Sequence, residues 1–193
     1  NAAATRFDPR LFFVGRVVQT IKESGPSSFE AEPLSTYHDE SANIIRSATN
    51  ELFWNYEKGI LIANAPKAQG VVGFLNKESQ LETADFGFAS KNEYGSIFAV
   101  ALDDQPLATS NRILVQVATH DVPYGFETKT VDEFEEITNL GGFPLNVREI
   151  EGHLFIKTNR QPTVEALDAN GYPTGERLAS QSRPGGYVVE LPK

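Results

Sequence analysis

Three adjoining pieces, Glu51-Leu-Phe-Trp-Asn-Tyr-Glu57, Lys58-Gly59 and Ile60-Leu-Ile-Ala63, decide the fold class. Apolar and polar side chains alternate through the first piece. A strand points successive side chains to opposite faces, so a period of two marks a half-buried strand. Lys58-Gly59 forms a turn, and Ile60 to Ala63 returns as the second arm of a hairpin.

The same period spreads outward from this hairpin. On its N-terminal side, Val14 to Ile21 reads as a strand, while Glu23 to Ser47 is rich in turn formers and reads as a long loop. On its C-terminal side, Gln69 to Leu75 is an apolar run too short for a helix. Leu81 to Phe88 follows. Ser96 to Leu102 and Arg112 to Ala118 are rich in residues that fit a pleated, buried surface, as central strands require. Asn146 to Glu151 and His153 to Thr158 read as a hairpin turning near Gly152. Thr163 to Leu167 runs into the turn Asp168-Ala-Asn-Gly171, and Tyr187 to Leu191 closes the chain.

One helix is expected. Thr130-Val-Asp-Glu133 has capping-box spacing, Val131, Phe134 and Ile137 or Leu140 fall on one helical face, and Gly141-Gly142 would end it. The expected fold is all-β: a jelly-roll-like β-sandwich of about ten short antiparallel strands with one short helix. No internal repeat, low-complexity tract or linker divides the chain, so residues 1–193 are read as a single domain.

Composition bounds the function. With 40% hydrophobic and 22% charged residues the chain is globular rather than disordered. Its formal net charge of −9 disfavours a phosphate backbone as partner, so no nucleic acid is expected. No apolar run reaches the ~18–20 residues of a membrane-spanning helix, and no membrane partner is expected. The chain holds no cysteine, which removes disulfides, zinc–thiolate sites, iron–sulfur clusters and cysteine nucleophiles. It also lacks methionine and begins Asn-Ala-Ala-Ala-Thr, so it is read as a piece of a longer protein.

Catalytic motifs are missing from the sequence. His38, His120 and His153 form no HExxH, and no pair stands at i,i+4. There is no G-x-S-x-G, P-loop or G-x-G-x-x-G. Gly70-x-x-Gly73 lies inside a strand pattern, where a bulge or close backbone packing explains it. Asp132, Glu133, Glu135 and Glu136 read as a solvated helix face, and no spacing singles out the carboxylate pair a glycosidase needs. Asp103-Asp104 and Asp168-x-Asn170 offer loop oxygens of the kind calcium takes, without the EF-hand pattern. A structural calcium is therefore left open, and no other cofactor is expected.

Aromatic residues carry the most functional information. The chain has 13 Phe, 6 Tyr and 1 Trp. Phe supplies the core. Trp54 and Tyr56 stand two apart on one strand and share a face. Sugar rings stack their C–H groups on aromatic faces while polar neighbours bond the hydroxyls. Tyr37, Tyr94, Tyr124 and Tyr172 fall in loops or at strand ends, where such contact is accessible. Trp54, Tyr56 and Tyr124 are the candidate carbohydrate-binding residues. For Trp54 the competing role is ordinary core packing.

A series of motifs occurs in order along the chain. Arg46-Ser47-x-Thr49-x-Glu51-Leu52-x-Trp54 precedes the hairpin, and Ala65-Pro66-Lys67-Ala68-Gln69-Gly-Val-Val-Gly-Phe74 follows it. Then come Ala101-Leu102-Asp103-x-x-Pro106-Leu107, Ser110-x-Arg112-Ile113-Leu114 and Ala166-Leu167-Asp168-x-Asn170-Gly171. This order, from about Asp8 to Leu191, resembles the β-sandwich domain found C-terminal to the (β/α)8 barrel in secreted glycoside hydrolases of the cellulase-like and agarase-like kind. The chain departs from that pattern at Ala48 and Asn50, where the family has Asp and Gly. The resemblance implies a secreted, non-catalytic accessory domain, because the catalytic acids of such enzymes belong to the barrel. The expected function is a carbohydrate-binding module that holds the parent enzyme on its polysaccharide. The alternative is a structural domain that packs on and stabilises the catalytic barrel and binds no sugar.

Overall fold

A computed structural model describes residues 8–16 and 33–192. A short helix, α1 (Leu11–Val14), opens the described chain. Five strands follow: β1 (His38–Asp39), β2 (Ile44–Arg46), β3 (Leu52–Asn55), β4 (Ile60–Ala65) and β5 (Ala68–Gly73). Next come β6 (Leu81–Glu82), β7 (Phe86–Ser90), β8 (Gly95–Ala101) and β9 (Ile113–Thr119). Then follow β10 (Asp121–Tyr124), β11 (Glu127–Val131), β12 (Phe134–Asn139) and β13 (Gly142–Val147). The last five are β14 (Gly152–Ile156), β15 (Val164–Leu167), β16 (Pro173–Leu178), β17 (Ser180–Arg183) and β18 (Gly186–Glu190). The all-β, sandwich-like fold with antiparallel sheets is what the alternating sequence implies, while among the described residues the one α-helix lies at Leu11–Val14 and not where a helix was expected.

Two sheets make the body. One has seven strands in the order β1-β2-β3-β4-β5-β8-β9, and the other five in the order β17-β18-β14-β7-β6. Ile60, Val71, Ile97 and Ala99 of the first meet Leu81, Phe86, Phe88 and Leu154 of the second in one core. A buried polar link crosses between them. Gln69, 1% exposed, donates from Nε2 to Asp85 Oδ2 at 2.6 Å. Its Oε1 accepts from Thr83 Oγ1 at 2.8 Å and from the Asp85 N–H at 2.9 Å.

Both glycines of Gly70-x-x-Gly73 serve close packing. A Cβ on Gly70 would lie 2.5 Å from Ile97 O and from the Phe98 ring. Gly73 has φ +130°, and a Cβ there would lie 2.0 Å from Gly59 O.

The segment expected to be a helix, Thr130 to Leu140, is instead the hairpin β11–β12, in which Val131 pairs with Phe134 and Thr130 with Glu135. Thr130 Oγ1 donates across the hairpin to Glu135 Oε1 at 2.6 Å, replacing the capping box. The turn forms because Asp132 takes φ 54°, a left-handed conformation that Asp tolerates. A helix here would need a body to bury its apolar stripe, and both strands are exposed throughout.

The hairpin expected around Gly152 is also absent. β13 pairs with β10, while β14 lies between β7 and β18. Gly152 is a packing glycine, since a Cβ there would sit 2.3 Å from Ala89 O. Asn92 holds the crossover by donating from Nδ2 to Glu149 O at 2.9 Å and accepting from the Glu151 N–H at 2.8 Å.

Near the N-terminus, Val14 ends α1 rather than starting a strand, and residues 17–21 of the expected strand lie outside the described residues. The described part of the expected 23–47 loop holds a 3-10 turn at Leu34–Thr36 and the strands β1 and β2.

Candidate binding surfaces

The outer face of the seven-stranded sheet carries a row of aromatic rings. β3 and β4 pair Trp54 with Leu61, and β2 pairs Ile45 with Trp54, so Trp54 stands in the middle of that face. It is half-buried, with the Phe13 ring of α1 at 5.8 Å on one side and the Tyr56 ring at 6.0 Å, edge-on, on the other. α1 is fixed there because the Ala48 N–H donates to Val14 O at 2.7 Å. The row continues to His38, whose ring lies 5.7 Å from that of Tyr56.

Polar groups gather at the Tyr56 end. The Tyr56 hydroxyl donates to Asn43 Oδ1 at 2.9 Å and lies 3.0 Å from His38 Nε2. Asn43 Nδ2 donates to Glu57 Oε2 at 2.6 Å. At the other end a shallow hollow of about 330 Å³ opens between Phe13, Trp54, Leu61, Val72 and Tyr94. Tyr94 packs edge-on against Phe74 at 5.4 Å, with Lys77 Nζ 4.7 Å over the Phe74 ring. The hollow is lined almost wholly by apolar side chains. It offers stacking faces but few hydrogen-bonding groups to fix an orientation.

Trp54 and Tyr56 thus come together as the alternation implies. Tyr124 does not join them. It lies at the bend of a projecting arm, 66% exposed, without a ring partner among the described residues. Phe13 belongs to the row and was not singled out by its sequence. The only local hint was Asp8-Pro9-Arg10, a helix start in which Asp8 Oδ1 accepts the Arg10 N–H at 2.9 Å.

The arm is a second surface. β10 with β13 and β11 with β12 form one long ribbon, bent at Tyr124 to Phe126, that leaves the end of β9. Its large apolar side chains face solvent: Phe143 is 90% exposed, Phe134 76%, Leu140 73% and Val147 66%. Between Asp121 and Glu149 the ribbon carries seven acidic residues and two basic ones, a net −5.

Carboxylates that shift do so downward, because hydrogen bonds hold the charged form. Arg10 draws Asp8 from 3.8 to about 2. Ser41 and the Ala42 N–H lower Asp39, and Thr130 lowers Glu135. Asp103 is lowered by the Asn111 N–H and Ser110. Its oxygens accept the Asn111 N–H at 3.0 Å and the Gln105 N–H at 3.3 Å. Asp168 Oδ1 accepts from the N–H groups of Asn170 and Tyr172 at 2.8 and 2.9 Å. Both of these aspartates pin turns with the oxygens considered for calcium. Among the described residues no group of three or more His, Asp or Glu side chains is placed to hold a metal ion. No protein-family model, curated protein or solved structure matches the chain.

Proposed function

We propose that this chain is a non-catalytic accessory module of a secreted, polysaccharide-degrading glycoside hydrolase, docked on the catalytic barrel through its projecting arm. The observation that carries this reading is the number of large apolar side chains the ribbon leaves exposed, including Phe134, Leu140 and Phe143. A folded chain that leaves such a patch in water normally covers it with a partner. The net negative charge of the ribbon calls for a partner surface that is apolar and also carries Lys and Arg. The resemblance of the ordered motifs to barrel-associated sandwiches names the barrel as that surface.

A second reading is carbohydrate binding by the row Phe13–Trp54–Tyr56. It is favoured by the His38, Asn43 and Glu57 groups beside the Tyr56 hydroxyl, which suit sugar hydroxyls. Affinity electrophoresis separates the two readings. The purified chain is run through gels containing agarose, porphyran, β-glucan, xylan or mannan. The docking reading expects unchanged mobility in every gel. Selective retardation in one gel, abolished by Trp54→Ala in a folded protein, would replace it with the carbohydrate-binding reading.

A further inference from the structure

Among the described residues β9, Ile113-Leu-Val-Gln-Val-Ala-Thr119, is an edge strand, and it holds no charged residue or proline. Other edges of the two large sheets are blunted. β1 and β6 have two residues each, and β17 is the polar Ser-Gln-Ser-Arg. Long uncharged edges invite pairing with another chain, and proteins that stay apart protect them with charge, proline or brevity.

Backbone geometry fixes which groups are open. The Leu102 N–H bonds Arg112 O, and the Ala101 N–H bonds Lys67 O on the opposite side. Register along β8–β9 is unbroken, pairing Ala101 with Ile113 through Gly95 with Thr119. Antiparallel pairs alternate, so Leu114, Gln116 and Ala118 bond to β8 while Ile113, Val115, Val117 and Thr119 turn their N–H and C=O groups outward.

We propose that the β9 edge is the interface of a twofold-symmetric dimer, in which β9 of one copy pairs antiparallel with β9 of the other about Gln116. This register is the one that engages all four outward-facing residues, with Ile113 opposite the second copy's Thr119 and Val115 opposite its Val117. The occupant is a second copy because the strand is complementary to itself. Arg112, exposed and without a salt bridge among the described residues, sits just before the strand, and Asp121 lies just beyond its other end. Antiparallel pairing about Gln116 brings Arg112 of each copy beside His120 and Asp121 of the other, twice by symmetry. The uncharged strand also keeps the net −9 of each chain out of the contact. The two Gln116 side chains meet on the axis. The two sheets join into one of fourteen strands, twice the seven of a single copy. This proposal does not rest on the arm or on the docking reading.

Sedimentation velocity and light scattering over a wide concentration range test it. The wild-type chain is expected at twice its 21.2 kDa mass. Gln116→Lys sets two like charges opposite each other on a solvent-facing position and is expected to give the monomer, with the circular dichroism spectrum unchanged. Arg112→Glu is expected to weaken the dimer about tenfold, and Arg112→Glu with Asp121→Arg to restore it. A wild-type mass that stays at 21.2 kDa at every concentration overturns the proposal. So does a dimer that survives Gln116→Lys, or one that the charge-swapped double variant fails to restore.

Discussion

Gly73 shows how far one residue can be constrained. Its φ of +130° is open almost only to glycine, and the Gly59 carbonyl fills the space a side chain would need. Gly73→Ala is expected to lower stability by about 3 kcal/mol or more, read as a drop in urea midpoint at unchanged slope. Asn50 is a milder case. It takes φ 61° in the Ser47 to Leu52 turn, where the Asn50 N–H bonds Ser47 O at 2.9 Å. Asp8 provides a pH signature. Its folded pKa is lowered from 3.8 to about 2, chiefly by Arg10, so its contribution is present above the ordinary carboxylate range and is lost as pH falls through about 2. Carboxyl NMR titration is expected to show this midpoint, and Arg10→Ala to return it to the ordinary range.

At the scale of elements, the arm and the aromatic row behave oppositely. β11, β12 and β13 have no buried residue and contribute none to the core. Phe134→Ser with Phe143→Ser is therefore expected to move the melting temperature little, within about 0.5 kcal/mol of stability. The same pair is expected to reduce binding of an apolar fluorescent dye by the isolated chain. A cooperative loss of structure in this variant would show that the arm is part of the folding unit. The helix expected over Thr130 to Leu140 failed for a related reason. Apolar residues three or four apart fit a helical stripe, but a stripe stabilises a helix only when something covers it. Thr128, Thr130, Ile137 and Thr138 are β-branched, a strand signal that the spacing of Val131, Phe134 and Ile137 concealed.

For the whole molecule, the junction between the two sheets is both apolar and polar. Phe86, Phe88, Ile97 and Leu154 supply the burial, and Gln69 specifies the alignment by bonding Asp85 and Thr83 beyond its own sheet. Gln69→Leu keeps the volume nearly constant but strands the Asp85 carboxylate and its N–H. The expected loss is about 3 kcal/mol, measured by urea denaturation. A loss near zero would mean that the polar link contributes nothing beyond filling space.

The sequence by itself determined the local states. Period-two alternation marked β3 and the return strand β4, a short apolar run marked β5, residue type marked β8 and β9, and Asp168-Ala-Asn-Gly171 marked its turn, because side-chain direction and turn chemistry are properties of adjacent residues; β9, expected as a central strand, instead ends its sheet. The shared face of Trp54 and Tyr56 was legible for the same reason. Only the tertiary structure decided the pairings between distant strands: β14 with β7 and β18, β13 with β10, and β9 with no outer neighbour among the described residues. Backbone hydrogen bonds are alike at every residue, so nothing local in β14 or β9 says which strand will meet it. Long-range packing makes that choice. It also brought Phe13 onto Trp54, left Tyr124 on an arm apart from them, and placed β9 at the end of its sheet.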